Sequence, residues 1–469
     1  MRTYLERHAA AVWRLREPVD ARYELTALQH ELDRSNRYPI ILATQVQGSA
    51  ADPLTRTVVT NLTASRTLTA AALGIDDHRQ AAAWFAGRAA RGVEPCILPR
   101  GSGACQQLVL RGAEVDLTRL PVLTPHELEP GPYLTAAHAT TFDPDTGIDN
   151  CAIQRCWVQG PRQMTWFPYP SSHNMRNLRK FWQRGAACPV AFWIGHHPAV
   201  LLGSQAKLGY PESHWRAAGG ILGEALRLVP SMLHGERILV PADAEIVIEG
   251  FAPPDQMTAD GPFGEYTGYL GPQVAAPRVE VECLTLRRDA LYHDYGSGLA
   301  DALVPDNLAM EGRLYQLVKP VAPSLQNVHV PTAGRRFHAY LQLRDPARGE
   351  ARDALAAALA YRRVKAVVAV DDDIDIFDPQ SLCWAVATRV QWSRDTVVIE
   401  GLSTSTLDPS LPHGAQTAAK IGIDATLPPA PRPGLPRAVP PVARVPLASA
   451  SRARERLAAA TGTDRWPTV

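Results

Sequence analysis

The stretch DGPFGEYTGY, residues 260–269, is the most constrained segment of this 469-residue chain. Its three glycines and one proline restrict the backbone conformations that the segment can adopt. The segment carries two carboxylates, Asp260 and Glu265, five residues apart. Paired acids near an arginine are a recurrent way to give two carboxyl groups different pKa values. We therefore interpret residues 260–269 as a loop that positions two acids for chemistry.

The sequence on both sides of this loop is typical of β-strands. Apolar residues recur at every second position in residues 244–249 and 279–284, and short segments of this kind, broken by Gly and Pro, begin at about residue 105. Alternation with a period of two indicates strands that have one apolar face. The middle of the chain is therefore predicted to form an antiparallel sheet or barrel.

The two flanking regions read as α/β units. Near the N-terminus, short apolar runs at residues 40–42 and 58–59 predict strands, and an alanine-rich helix follows over residues 81–90. In the last third, residues 337–343 and 366–370 predict strands, residues 353–362 predict a helix, and Asp378-Pro379 is typical of a helix start. Prolines fill residues 427–446, and a short helix is predicted from about 451 to 460.

These patterns predict four parts. They are an N-terminal α/β domain over residues 1–104, a central domain over 105–320, a C-terminal α/β domain over 321–426, and a proline-rich arm with a terminal helix over 427–469.

Composition excludes several classes of protein. The chain is 46% hydrophobic and 20% charged, which is typical of a folded globular protein. Its 48 basic and 47 acidic residues leave a net charge of +1, so no global field favours nucleic acid or an anionic membrane as a partner. No window reaches the 18 or so apolar residues that span a bilayer. We expect a cytoplasmic protein.

Three further places carry residues with potential chemistry. Asn150 and Arg155 are five apart, so on a regular strand they would face opposite sides and need a bend to serve one site. His173 follows an aromatic stretch, and Glu224 follows a glycine-rich apolar segment. Taken alone, each of these residues is more typical of a turn or of the surface than of a site.

Together, these residues resemble the UbiD family of decarboxylases. Asn150, Arg155, His173, Gly223-Glu224 and the loop at 260–269 occur in the order seen in that family, and the spacing of the first three is similar to its fungal phenylacrylic acid decarboxylases. Further similar stretches lie at residues 364–375, 384–389, 407–410 and 420–426, so the resemblance covers roughly residues 100–430.

The resemblance implies a flavin cofactor and a metal ion. Family members bind prenylated FMN through a divalent ion, so Asn150, His173 and Glu224 are expected to hold Mn²⁺ (or Mg²⁺), with K⁺ as a common second ion. An amide oxygen, an imidazole, a carboxylate and phosphate oxygens suit such an octahedral ion. The other residues expected to contact the cofactor are Ile153, Arg155, Ser172 and Lys365.

The resemblance also implies the catalytic residues. Arg155, Asp260 and Glu265 match the family's Glu-Arg-Glu set, with Arg155 holding the substrate carboxylate and Glu265 donating a proton. This chain departs from the family at Asp260, where Glu is more common. A side chain shorter by one methylene is expected to reach Arg155 only from a shifted backbone or through water.

The implied fold is an N-terminal α/β domain, a central split β-barrel similar to flavin reductases, and a C-terminal α/β dimerisation domain. The implied activity is non-oxidative decarboxylation of an α,β-unsaturated or aromatic acid by a homodimer or larger assembly. A flavin prenyltransferase would supply the cofactor. The Arg-, Ala- and Pro-rich composition is typical of GC-rich genomes, and the chain resembles the ubiquinone-pathway members of the family less. We therefore favour a natural-product acid, of the polyketide kind found in tautomycetin-type pathways.

Three alternatives stay open at this point. A split-barrel FMN oxidoreductase would oxidise a nicotinamide, but it gives no role to the Asn-His-Glu set. A flavin-independent metal hydrolase would use the metal ligands alone. A non-catalytic assembly subunit is the third alternative, and the presence of both Arg155 and Glu265 argues against it.

Overall fold

The computed structural model describes residues 1–48, 50–412, 414–428 and 440–461. By the density of internal contacts the chain divides into two units, Met1–Thr426 and Leu427–Val469. Within the described ranges, no helix is both long and apolar enough to cross a bilayer.

The N-terminal region combines short strands with amphipathic helices. Its elements are α1 (Arg2–Arg7), β1 (Val12–Leu15), β2 (Val19–Asp20), α2 (Glu24–Arg34), β3 (Ile40–Ala43), β4 (Val46–Gln47), β5 (Val58–Thr60), α3 (Arg66–Ala72), α4 (Ala81–Arg91) and β6 (Cys96–Ile97). The predicted strands at 40–42 and 58–59 are confirmed as β3 and β5, which pair antiparallel. The alanine-rich helix is confirmed as α4.

The central region is dominated by strands. Its elements are β7 (Leu108–Arg111), β8 (Tyr133–Leu134), β9 (His138–Phe142), β10 (Asp149–Ile153), β11 (Cys156–Gly160), β12 (Gln163–Thr165), α5 (His173–Trp182), β13 (Cys188–Ile194), α6 (Pro198–Gly203), α7 (His214–Leu222), β14 (Arg227–Ser231), β15 (Gly235–Pro241), β16 (Ile246–Ala252), β17 (Met257–Asp260), β18 (Phe263–Gly264), β19 (Leu270–Gly271), β20 (Val274–Leu286) and β21 (Tyr292–His293).

Ten of these strands form one antiparallel sheet. The order is β10-β9-β13-β16-β20-β12-β11-β8, and β17 and β7 also pair with β20. The long strand β20 exchanges neighbours along its length, pairing with β17 and β12 in its first half and with β16 and β7 in its second. Such an exchange, with a register shift opposite Gly250, curls the sheet. The predicted antiparallel sheet is confirmed.

The alternation in β16 has a different meaning from the one that the pattern predicts. A half-exposed strand would place Glu249 in solvent, but its side chain is buried. Its carboxylate accepts hydrogen bonds from the Ser231 hydroxyl and from the backbone N–H groups of Met232 and Leu233. These donors offset the cost of burying a charged group, so both faces of β16 are covered.

The C-terminal region is a five-stranded α/β layer. Its elements are α8 (Ala300–Val318), β22 (Leu325–His329), β23 (His338–Leu343), α9 (Glu350–Leu359), β24 (Ala366–Asp371), α10 (Pro379–Arg389), α11 (Trp392–Asp395), β25 (Thr396–Ser403) and β26 (Thr417–Asp424). The sheet order is β22-β23-β24-β26-β25. The predicted alternation is confirmed, and the Asp378 carboxylate caps α10 by accepting from the N–H groups of Gln380 and Ser381.

The second unit contains one described helix, α12 (Leu447–Thr461). It confirms the helix predicted from about residue 451, with an earlier start. Much of the predicted proline-rich arm, residues 429–439, lies outside the described residues. The chain thus has a mixed α/β fold, and the division into four parts stays a prediction.

Candidate active site

A cavity of about 490 Å³ brings most of the candidate residues together. Its walls come from the β10–β11 connection, the start of α5, the segment that joins α6 to α7, the loop at 263–266, α8, and residues 361–363. The candidates on its walls are Asn150, Ile153, Arg155, Ser172, His173 and Glu265.

Arg155 lies between two carboxylates. Its Nε and Nη2 donate to Asp260 Oδ2 at 2.8 and 2.7 Å, and its Nη1 donates to Glu265 Oε1. The Asp260 side chain is fully buried and accepts a further hydrogen bond of 2.7 Å from the Thr165 hydroxyl. Glu265, with 13% of its side chain exposed, lines the cavity. Asp260 contacts Arg155 directly, so of the two expected routes the one through a bridging water is not used.

Local backbone features produce this arrangement. Gln154 and Arg155 interrupt the strand between β10 and β11, which is the bend that the spacing of Asn150 and Arg155 requires. The guanidinium group lies 4.2 Å from the ring centre of Phe167 and 4.8 Å from that of Phe263. Cation–π contacts on both rings limit the positions that it can take.

The loop at 260–269 depends on close backbone approaches. Gly261 has a φ of +86°, which favours glycine. Across the loop, a Cβ on Gly298 would lie 2.8 Å from the Glu265 carbonyl oxygen, so this position also requires glycine. These contacts hold Glu265 at the cavity wall.

The electrostatics separate the two acids. Burial raises the pKa of Glu265, although Arg155 opposes the shift. Burial works against the charge of Arg155, but Glu265 and Asp260 outweigh it and raise its pKa. The site therefore contains a permanent cation and, on its exposed side, a carboxyl group whose proton is retained to higher pH than usual.

Asn150 and His173 both line this cavity. Asn150 Nδ2 donates to Asn174 Oδ1 at 2.6 Å, while Asn174 itself donates to the Ala139 carbonyl and to Gln154 Oε1. Because the donors of Asn174 are used elsewhere, Asn150 must contribute its NH₂ group to this bond. Its carbonyl oxygen is left to accept from, or coordinate, another group. His173 is the first residue of α5, and burial lowers the pKa of its ring.

Glu224 is not brought to the cavity. It follows the left-handed C-cap Gly223 of α7, is exposed, and is absent from the cavity lining. The helix α7 is roughly 13 Å long, and it is the opposite, N-terminal end that meets the cavity. The structure thus brings Asn150 and His173 to one cavity and leaves Glu224 outside its lining.

His214, at the N-terminal end of α7, was missed by sequence reasoning. It is buried and lines the cavity, and its ring centre is 6.5 Å from that of His173. Burial lowers its pKa to about 3, so the ring is neutral at physiological pH. The available signal was Ser213, a helix N-cap, which places the next residue at a helix start.

A group of cations also lines the cavity around Asp306. The side chains of Lys207, Arg336 and Arg363 all form ion pairs with this carboxylate. Burial works to raise the pKa of Asp306, but the three cations hold it well below its usual range. Three positive charges against one negative charge leave an excess that can bind an anion. Lys365, the predicted lysine, instead pairs with Asp408 at 2.9 Å and donates to Ser410, and it is absent from the lining.

Three family models match consecutive parts of the chain. They describe the N-terminal, Rift-related and C-terminal domains of 3-octaprenyl-4-hydroxybenzoate carboxy-lyase, and they match residues 6–86, 97–299 and 307–425 respectively. A curated relative, the anhydromevalonate phosphate decarboxylase of Methanothermobacter thermautotrophicus, is 33% identical over 321 residues, which cover 68% of this chain and 74% of the relative.

Solved structures extend the similarity to almost the whole chain. The UbiD-class enzyme HmfF from Pelotomaculum thermopropionicum, in complex with FMN, has a TM-score of 0.85 and 34% identity, covering 96% of this chain and 99% of that chain. An evolved dimeric form of HmfF in complex with prFMN has a TM-score of 0.83 and 32% identity, with coverage of 96% and 99%. This chain belongs to the UbiD family of carboxy-lyases.

Proposed function

We propose that this protein decarboxylates an α,β-unsaturated or aromatic carboxylic acid with the aid of prenylated FMN. The observation that carries the proposal is Arg155, held between a buried carboxylate, Asp260, and a carboxylate on the cavity wall, Glu265. This arrangement offers a cation for the substrate carboxylate and a carboxyl group of raised pKa for proton transfer.

The cavity fits a flavin phosphate and a divalent ion. Asn150 has a free carbonyl oxygen, His173 offers an imidazole nitrogen, and both line one cavity with an excess of cationic side chains. Among the described residues, no three His, Cys, Asp or Glu side chains form a metal site by themselves. We assign Asn150 and His173 to Mn²⁺ or Mg²⁺, and Lys207 to the phosphate in place of Lys365.

The protein's own groups bind and protonate the substrate. Arg155 holds the carboxylate, and Asp260 with its Thr165 hydrogen bond fixes the orientation of the guanidinium group. Prenylated FMN, when bound, supplies the electron sink for the charge that remains as carbon dioxide leaves. Glu265 then donates a proton to the carbon that has lost carbon dioxide. Burial favours this role because it keeps the carboxyl group protonated to higher pH.

The proposal is tested by co-expression with a flavin prenyltransferase. The purified protein is expected to contain prenylated FMN by absorption and mass, and to release carbon dioxide from members of a panel of unsaturated and aromatic acids. The panel should include polyketide-derived acids, because the Arg-, Ala- and Pro-rich composition led us to propose a natural-product substrate. Nicotinamide oxidation with plain FMN would instead favour the oxidoreductase, and hydrolysis without flavin the metal hydrolase.

Glu265→Gln tests the proton donor. The variant keeps the shape of the side chain but has no proton to give, so turnover is expected to fall by about 10²- to 10⁴-fold. Flavin and metal content should match the wild type, since Glu265 is assigned to neither. Full activity in this variant would remove Glu265 from its role.

A further inference from the structure

His214 has a buried ring nitrogen without a partner at the wall of the cavity. Its Nδ1 is inaccessible to solvent and makes no hydrogen bond. A buried polar atom without a partner is unfavourable unless a ligand satisfies it. Other buried histidines share this property (His138, His196, His234 and His293), but within the described chain only His214 among them lines the cavity.

Three elements bring His214 to Asn150 and His173. Asn150 lies in β10, His173 begins α5, and His214 begins α7. Asp149, the neighbour of Asn150, joins β10 to α7, because its carboxylate accepts from the Ser213 hydroxyl and from the His214 N–H at 2.8 Å. The start of α7 is thus attached to the strand that carries the amide ligand.

We propose that His214 is the third protein ligand of the divalent ion, alongside Asn150 and His173, in place of Glu224. The inference rests on the metal site of the proposed function, and it changes the chemistry of that site. The ligands become one amide oxygen and two imidazole nitrogens, with no carboxylate. Imidazole suits transition-metal ions, whereas Mg²⁺ prefers oxygen ligands, so the site is selective for Mn²⁺ and later metals over Mg²⁺.

The neutral ligand set also alters the charge of the site. With Glu224 as a ligand, the metal and its protein ligands would carry a net charge of about +1, whereas with His214 they carry about +2. The dianionic phosphate of a flavin is then the principal counter-charge of the ion. We expect metal and flavin phosphate to strengthen each other's binding.

The first test compares His214→Ala with a matched control, Glu224→Ala, in the full-length chain. Mn²⁺ binding is measured by calorimetry and by metal analysis, with and without FMN as the phosphate-bearing probe. His214→Ala should weaken Mn²⁺ binding by at least about tenfold, and Glu224→Ala should leave it unchanged. The reverse pattern would overturn the inference. In the wild type, Mn²⁺ should bind more tightly than Mg²⁺.

The second test does not depend on a variant that folds. Pulsed electron paramagnetic resonance of the Mn²⁺-loaded wild type should detect two coordinated imidazole nitrogens, and ¹⁵N-labelled histidine should change both couplings. A single coordinated imidazole would overturn the inference. Failure of the proposed function is distinguishable, because a protein with two imidazole ligands but no carbon dioxide release would keep the metal site and lose only the reaction.

Discussion

Arg155 contacts two carboxylates that have different surroundings. Asp260 is fully buried and also accepts a hydrogen bond from the Thr165 hydroxyl, whereas Glu265 lines the cavity. If the Asp260 carboxylate were removed, the buried positive charge of Arg155 would lose one of its two counter-charges. A buried charge without its counter-charge destabilises the folded protein. We therefore assign Asp260 to positioning Arg155, and Glu265 to chemistry.

Asp260→Asn should move the pH dependence of turnover. The negative charge of Asp260 raises the pKa of Glu265, so its removal should lower that pKa. Because Glu265 acts in its protonated form, activity is lost as pH rises through its pKa, and the basic limb of kcat should therefore move to lower pH. Steady-state rates across pH measure this shift.

Thr165→Val is the matched control. It removes the hydrogen bond to Asp260 but keeps the charge, so the basic limb should stay at its wild-type pH even if kcat falls. A limb that moves to higher pH in Asp260→Asn would contradict the assignment of Glu265 as the acid.

The sequence predicted the site residues that belong to a recognisable motif. The family resemblance pointed to Asn150, Arg155 and His173, and the loop at 260–269 pointed to Asp260 and Glu265. The structure places Asn150, Arg155, His173 and Glu265 on one cavity, with Asp260 in contact with Arg155. Glu224 lies outside the cavity lining because its position depends on which end of α7 meets the cavity, and no local pattern contains that information. His214, Lys207 and Arg336 become neighbours of the site only through tertiary packing.

Helices α6 and α7 cross so closely at Gly203 that no side chain fits there. A Cβ on Gly203, at the end of α6, would lie 2.4 Å from the Cα of Ala218 in α7. Backbone atoms cannot give way cheaply, so the two helices must separate if a side chain is added. Because α7 also carries His214, the spacing of these helices sets the position of one cavity wall.

Gly203→Ala should destabilise the protein, by about 1–3 kcal/mol in the free energy of unfolding. The matched control is Gly87→Ala in α4, where an added Cβ would meet no atom within 4 Å. That change should stabilise the protein by about 0.5–1 kcal/mol, because glycine costs entropy in a helix. Urea unfolding of both variants measures the difference, and equal effects would contradict the close crossing.

The elements themselves were largely predictable. Alternation found β20, and the Asp-Pro start found α10. The order of strands in the ten-stranded sheet was beyond the pattern, because β20 pairs with four strands from separate parts of the chain. The burial of Glu249 was also unpredictable, since its hydrogen-bond donors come from residues 231–233.

On the scale of the whole molecule, the residues that line the cavity all lie within the first compact unit, Met1–Thr426. The resemblance to the family predicts a homodimer or larger assembly, and we propose the terminal arm as one of its contacts. The two roles, catalysis and assembly, can therefore be separated by experiment.

A chain that ends at Thr426 should keep the cavity and flavin binding but form smaller assemblies than the full chain. Light scattering gives the assembly size, and absorption gives the bound flavin. If the shortened chain keeps the same assembly size, the arm has no part in it. If flavin binding is lost while the fold is retained, the cavity depends on the second unit after all.

The bond between Arg155 and Glu265 has a consequence for the order of events in a catalytic cycle. An incoming substrate carboxylate must compete with Glu265 for the Arg155 guanidinium group, because Glu265 already pairs with it in the enzyme without substrate. Once displaced, Glu265 loses its counter-ion and acquires a negative neighbour, and both changes favour uptake of a proton. Arrival of the substrate would then favour the protonated form of Glu265. The pair with Arg155 would re-form once carbon dioxide has left and Glu265 has donated that proton.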